Sequence, residues 1–184
     1  MIDVPVIEGY RPGCGIATSR FFTFYRTIRE DNMLPVLLRI PVKGSDRKRT
    51  LEMLERDFFL TGDLSVQGAL PVMSIERSAD SVVAVMEDYG WIPLLSMIDG
   101  DLDLRHVSAE MARTLALVHS SGIIHRNLHS SSFMFLEGEK LTCSIAGFEH
   151  SVRISVTAKS EKAVPHAELE LGTASPETLG LIPF

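Results

Sequence analysis

Cysteine is almost missing from this chain: 184 residues contain only Cys14 and Cys143. The two lie far apart and match no paired spacing of a zinc site. They read as reduced thiols, which argues against a disulfide framework or a metal cluster. Positive charge is also in short supply. Eighteen Lys and Arg stand against 24 Asp and Glu, a net charge of −6, and the cations are scattered. The densest run, Arg47-Lys48-Arg49, reads as the solvated first turn of a helix rather than a nucleic-acid patch. No apolar run approaches the length needed to span a bilayer. Met1-Ile2-Asp3-Val4-Pro5 has neither the basic nor the apolar region of a secretion signal. These absences lead to the expectation of a cytoplasmic protein that engages neither nucleic acid nor membrane.

What is present is the composition of an ordinary globular domain, 45% hydrophobic and 23% charged, long enough for one core or for two small lobes around a cleft. Residues 4–27 read as two strands around a turn containing Gly13 and Gly15, with the aromatic run Phe21–Tyr25 favouring strand. Pro35–Ile40 is a third strand, apolar but for Arg39. Ser45–Leu64 is a helix with an N-cap at Ser45-Asp46 and Leu51, Leu54 and Phe58 at helical spacing. Leu70–Ile75 and Val82–Met86 form an antiparallel hairpin that closes a five-stranded sheet. A short helix follows at Pro93–Met97 and a longer one at His106–His119, where Val107, Met111, Leu115 and Val118 share a face. That helix stops at Ser121-Gly122. Phe133–Leu136 and Leu141–Ile145 make a second hairpin, whose alternation places Leu141, Cys143 and Ile145 on one face.

The stretch Gly122-Ile123-Ile124-His125-Arg126-Asn127-Leu128-His129-Ser130-Ser131-Ser132 lies between that long helix and the second hairpin. It resembles the catalytic loop of the protein kinases, His-Arg-Asp-Leu followed by an Asn. His125, Arg126 and Leu128 match that pattern, whereas Asn127 stands for the catalytic Asp, His129 for the phosphate-contacting Lys and Ser132 for the metal-binding Asn. Other segments resemble the family in the same order. Gly13-Cys14-Gly15 stands for the glycine-rich loop, and Arg39 for the strand Lys that pairs the phosphates. Asp57 takes the place of the helix Glu that salt-bridges that Lys. Met86-Glu87-Asp88-Tyr89-Gly90 resembles the hinge, with Met86 as gatekeeper. Gly147-Phe148-Glu149 falls where kinases carry Asp-Phe-Gly, and Pro176-Glu177 ends the activation-type segment. The hinge, the Gly-Ile-Ile-His-Arg loop and the Ser-Pro-Glu-Thr ending look similar to the N-terminal kinase-like domains of bacterial multidomain kinase/ATPase/sensor histidine kinase proteins.

The resemblance implies an α+β, protein kinase-like fold. Residues 1–88 would form an antiparallel five-stranded N-lobe, and 89–184 a truncated, mainly helical C-lobe that stops before the long central helix. The face of the 106–119 helix bearing Met111 and Leu115 would then be partly exposed. Gly13, Gly15, Leu37, Arg39, Met86, Glu87, Asp88 and Tyr89 would line the nucleotide site, with Leu37 crowding the adenine pocket. Several readings stay open. The glycines either cradle phosphate or belong to an ordinary hairpin. Arg39 either meets phosphate or snorkels at the sheet edge. Asp57 either reaches Arg39 or faces solvent, and His129 either contacts phosphate or bonds backbone. Phosphoryl transfer relies on a carboxylate that orients the hydroxyl and on metal-bound charge. With Asn127, Ser132 and Gly147 at those positions, the expectation is a pseudokinase signalling module in which ATP binds weakly or not at all and magnesium adds little. Its partner would be a signalling protein or the remainder of a larger parent chain. The alternative is a weakly active serine/threonine kinase in which His129 or Glu149 substitutes for a lost group.

Overall fold

The computed structural model describes residues 6–62, 66–77, 81–98 and 103–153. Leu64, Pro176 and Glu177 lie outside them, as does the segment expected to resemble an activation loop, apart from its first two residues. The described residues form a mixed α and β structure built on a five-stranded antiparallel sheet. Its strands are β1 (Cys14–Thr18), β2 (Phe22–Ile28), β3 (Pro35–Pro41), β4 (Ser74–Arg77) and β5 (Val82–Glu87), in the order β1-β2-β3-β5-β4. Helix α1 (Arg47–Thr61) follows β3 in the chain and packs on β5 and β4.

Period-two alternation sorts β3 between two cores. Leu37 joins Phe22, Phe24, Ala84, Met86 and the α1 residues Met53 and Leu54. Val36, Leu38 and Ile40 join Tyr10, Tyr25, Val83 and Val85 on the other face. Both faces are covered, which is why β3 reads as a continuous apolar run rather than as an alternating one.

Two local expectations need correction. Gly13 and Gly15 do not sit in the β1–β2 turn; Gly13 precedes β1 and Gly15 lies within it, and the connecting residues 19–21 contain no glycine. A Cβ on Gly13 would collide with the Arg26 carbonyl oxygen, and the pairing shifts between Gly15 and Ala17. Gly13 therefore permits close approach of two strands rather than a tight turn. In α1 the buried stripe is Thr50, Met53, Leu54, Asp57, Leu60 and Thr61, not the Leu51-Leu54-Phe58 set; Phe58 is exposed. The stripe carries a carboxylate because a cation is waiting for it. The start of α1 is as expected, with the Asp46 carboxylate accepting from the Arg49 N–H at 2.7 Å.

The second half holds β6 (Ile92–Pro93), α2 (Leu94–Met97), α3 (Leu104–Ser120), β7 (Ile123–Ile124), a 3-10 turn at Ser130–Ser132, β8 (Phe133–Leu136), β9 (Thr142–Ile145) and β10 (Val152–Arg153). Strands β6, β8 and β9 form one small sheet, and β7 pairs with β10. Among the described residues this half is thus not mainly helical. It has one long helix, and its loops are tied by short antiparallel ladders. Asp103 caps α3, and Gly122, at φ +73°, turns the chain out of it. Val107 and Val118 are buried with Ile123, Phe135, Ile145 and Phe148, and Met111 and Leu115 lie partly buried against them. No helix among the described residues is long and apolar enough to cross a membrane.

The core around Leu37 continues past residue 88. Trp91, Met134 and Ala146 of the second half belong to the same apolar cluster as Phe22, Phe24 and Met86.

Candidate functional site

Strand β3 carries Arg39 into the space between the sheet, α1 and the loop after β9. Its side chain is only 2% exposed. The Arg39 Nη1 donates to Asp57 Oδ2 at 2.5 Å and Nη2 donates to Glu149 Oε1 at 2.7 Å. The guanidinium also lies 4.2 Å from the Phe22 ring centroid and 5.6 Å from that of Phe24. Phe24 is the cross-strand partner of Arg39, so the ladder sets this stacking, which is favourable for a desolvated cation. Of the alternatives left open by the sequence, Asp57 faces Arg39 and not solvent, and Arg39 does not snorkel.

One guanidinium between two buried carboxylates leaves a surplus negative charge when both are ionised. Burial raises both carboxyls and Arg39 opposes it, so they titrate as one system, with Asp57 pushed up to about 6 and Glu149 held down at about 2. The Phe148 N–H donates to Asp57 Oδ1 at 3.2 Å, while Glu149 Oε2 has no hydrogen-bond partner. Gly147 stands at φ +89°, and a Cβ there would lie 3.4 Å from both Arg39 Nη2 and Glu149 Oε2. The left-handed turn at Gly147 is what brings Glu149 back towards Arg39.

Beneath this triad sits the loop that opens at His125. The His125 ring packs edge-on against Phe148 with centroids 4.8 Å apart. Its Nε2 donates to the Ala146 carbonyl at 3.2 Å, and its Nδ1 accepts from the Asn127 N–H at 3.4 Å. These partners fix the neutral tautomer, and burial lowers the imidazole to about 4. Arg126 adopts φ +69°, which turns the chain away from the buried His125. The Ala146 N–H donates to the Ser132 carbonyl at 2.8 Å, and the Ser132 hydroxyl accepts from the His129 N–H at 3.4 Å. Ser131 Oγ donates to the Thr18 carbonyl at 3.1 Å and lies 3.1 Å from His129 Nδ1. The His129 ring thus meets the Ser131 hydroxyl of its own loop. The Ser131–Thr18 bond ties the end of β1 to the loop across the interval between the two halves.

The eight residues expected at a nucleotide site divide. Leu37, Arg39 and Met86 are buried in the shared core. Glu87, Asp88 and Tyr89 line a cavity of about 350 Å³ whose floor is Val36 and Val85, residues of the other face of the sheet. Asp88 is occupied as well. Its Oδ2 accepts from Arg26 Nε at 2.5 Å, and its Oδ1 accepts from the Gly90 and Trp91 N–H groups at 2.8 and 3.1 Å. Its own N–H donates to the Pro35 carbonyl at 3.4 Å. Gly13 lies just before β1 and Gly15 within it, away from the β1–β2 turn.

The sequence reading missed the Phe22 and Phe24 stack, the Arg26–Asp88 clamp and the Ser131–Thr18 tie. Alternation along β2 held the signal for the first, since Phe22 and Phe24 must share a face two residues apart. Among the described residues no group of three or more His, Cys, Asp or Glu side chains is placed to hold a metal ion. No family model matches the chain, and no curated protein matches it at a significant level.

Proposed function

We propose that this chain is a degenerate protein kinase-like signalling module, a pseudokinase that regulates or binds a partner and does not transfer phosphate. In this reading residues 1–88 and 89–184 correspond to the two lobes of an α+β kinase-like fold. The observation that carries the proposal is the state of Arg39, the residue at the phosphate-pairing position. It is buried, shared by Asp57 and Glu149, and stacked on Phe22. A triphosphate could reach it only by displacing two carboxylates from a dry site, and the cation it met would already be neutralised. Leu37, Met86, Phe24 and Met134 fill the neighbouring space with side chains. Asn127 offers an amide where proton acceptance needs a carboxylate. Ser132, whose hydroxyl accepts from the His129 N–H within its loop, and Gly147 supply no carboxylate or amide oxygen for magnesium, which favours carboxylate and phosphate oxygens in octahedral array.

The test is ATP binding to the intact chain with and without magnesium, followed by thermal shift, beside a radiolabelled phosphotransfer assay. A ligand at a hundred times its Kd adds about 2.7 kcal/mol and moves the melting temperature by several degrees. No shift at millimolar ATP, no magnesium effect and no label transfer are expected. Strong magnesium-dependent binding with turnover would overturn the proposal. It would favour the weakly active serine/threonine kinase, with the unpartnered Glu149 Oε2 as the replacement ligand.

A further inference from the structure

The outer face of the sheet carries two neighbouring cavities of opposite character. One, of about 350 Å³, has the buried Val36 and Val85 as its floor and Leu34, Met73 and Tyr89 on its walls. Those three wall residues are 56%, 53% and 64% exposed, a concentration of large apolar surface around a single depression. The other, of about 500 Å³, is lined by Glu8, Tyr10, Arg29, Glu30, Asp31 and Glu76. Arg29 forms the wall common to both. It is ion-paired with Glu76 and bonded to the Tyr10 hydroxyl, so these charges largely cancel. Glu8, Glu30 and Asp31 are exposed and leave the second cavity acidic.

We propose that this paired surface is a docking site for an extended segment of a partner protein in which a Lys or Arg lies a few residues from an aliphatic or aromatic anchor. The anchor fills the apolar cavity against Val36 and Val85, and the cation enters the acidic one. Charge complementarity selects this occupant: an acidic segment would be repelled at Glu30 and Asp31, and a purely apolar one would make no use of them. The proposal rests on the reading of the chain as an interaction module and names the surface that does the interacting. That surface lies on the sheet face opposite Leu37 and Met86, so occupancy there leaves the Arg39 triad undisturbed.

The experiment is selection of a random heptapeptide phage library against the intact chain, with binding of the enriched peptides measured by fluorescence anisotropy. Two variants accompany it, Met73→Glu and the double change Glu30→Lys with Asp31→Lys. All three positions are exposed, and unchanged melting temperatures will show that the variants fold. Enriched peptides are expected to combine a basic residue with a Leu, Ile, Phe or Tyr. Each variant should weaken them by roughly tenfold or more, the charge reversal more strongly at low salt. No enrichment, enrichment without a basic residue, or binding that neither variant weakens would overturn the proposal. So would self-association that Met73→Glu abolishes, which would assign the surface to a second copy of the chain. None of these readouts depends on ATP, so failure here and failure of the pseudokinase reading are separate results.

Discussion

A guanidinium held between two carboxylates out of reach of water is a costly arrangement to break from one side. Removing Arg39 leaves Asp57 and Glu149 buried together with no counter-charge, so Arg39→Met should destabilise the protein by about 3–5 kcal/mol near neutral pH. The loss should shrink as pH falls towards about 5. Without the cation, burial and mutual repulsion raise both folded-state carboxyl pKa values above their unfolded ones, so the folded variant takes up protons first. Urea denaturation of both proteins across this range checks the magnitude and the trend. A deficit that grows on acidification would contradict the arrangement. His125 and Asp57 give a second test. The imidazole is lowered to about 4 by burial, so its contribution is present above the unfolded value near 6.5 and is lost as pH falls through the folded one. Asp57 is raised to about 6, so its contribution has the opposite sign, full below its unfolded value and lost as pH rises through about 6. The two offset each other between about pH 6 and 5, above the range in which Glu149, held down at about 2, starts to lose its own contribution. Replacing His125 by Phe should unmask the Asp57 term, and the stability of that variant should rise on mild acidification where the parent protein stays level.

Among elements, the loop after β9 and the connection after β5 are each held by hydrogen bonds to a buried carboxylate, Asp57 and Asp88. Gly147 adopts φ +89° beside the Arg39 guanidinium, so Gly147→Ala should cost about 1–3 kcal/mol from backbone conformation alone. A larger residue such as Asp would add steric and electrostatic conflict with Glu149. Asp88→Ala strips the Gly90 and Trp91 N–H groups and Arg26 of their shared acceptor, and a loss of roughly 2–3 kcal/mol is expected. Chemical denaturation measures both. The same elements mark how far the sequence could be read. The five-stranded antiparallel sheet, α1 with its Asp46 cap, α3 with its Gly122 stop and the β8–β9 hairpin follow from local periodicity and turn chemistry, and all are found. The fourth strand, expected at Leu70–Ile75, instead runs Ser74–Arg77, because Leu70 is drawn out of the sheet to the Ile145 carbonyl. The position of Gly13 could not be read, because its reason is a carbonyl on β2 that only strand pairing brings close. The buried face of α1 was misread for a similar cause. Helical spacing favours Phe58 over Asp57, and only a cation from another strand reverses that preference. At the site, the Asp57–Arg39 pair was legible as one of two options, whereas its second carboxylate, Glu149, comes from 110 residues further along the chain. Local pattern carries no information about that closure.

At the scale of the whole molecule, the apolar cluster that joins Phe22, Phe24 and Met86 to Trp91, Met134 and Ala146 couples the first half to the second. Breaking that interface exposes apolar surface on both sides, so the halves should unfold together. The single tryptophan, Trp91, lies in this shared cluster and reports on it directly. Its fluorescence transition and the far-ultraviolet circular dichroism transition should coincide in denaturant; two separated midpoints would show that the halves melt independently. The two thiols extend the argument to kinetics. Cys14 is exposed on the edge strand β1, whereas Cys143 is enclosed in the second core, where burial pushes it up to about 11. Since the thiolate is the reactive form, a maleimide at neutral pH should modify the native chain once, at Cys14, and reach Cys143 only when that core opens. The slow second addition of mass, followed by intact-protein mass spectrometry, is therefore a clock for how often the molecule breathes.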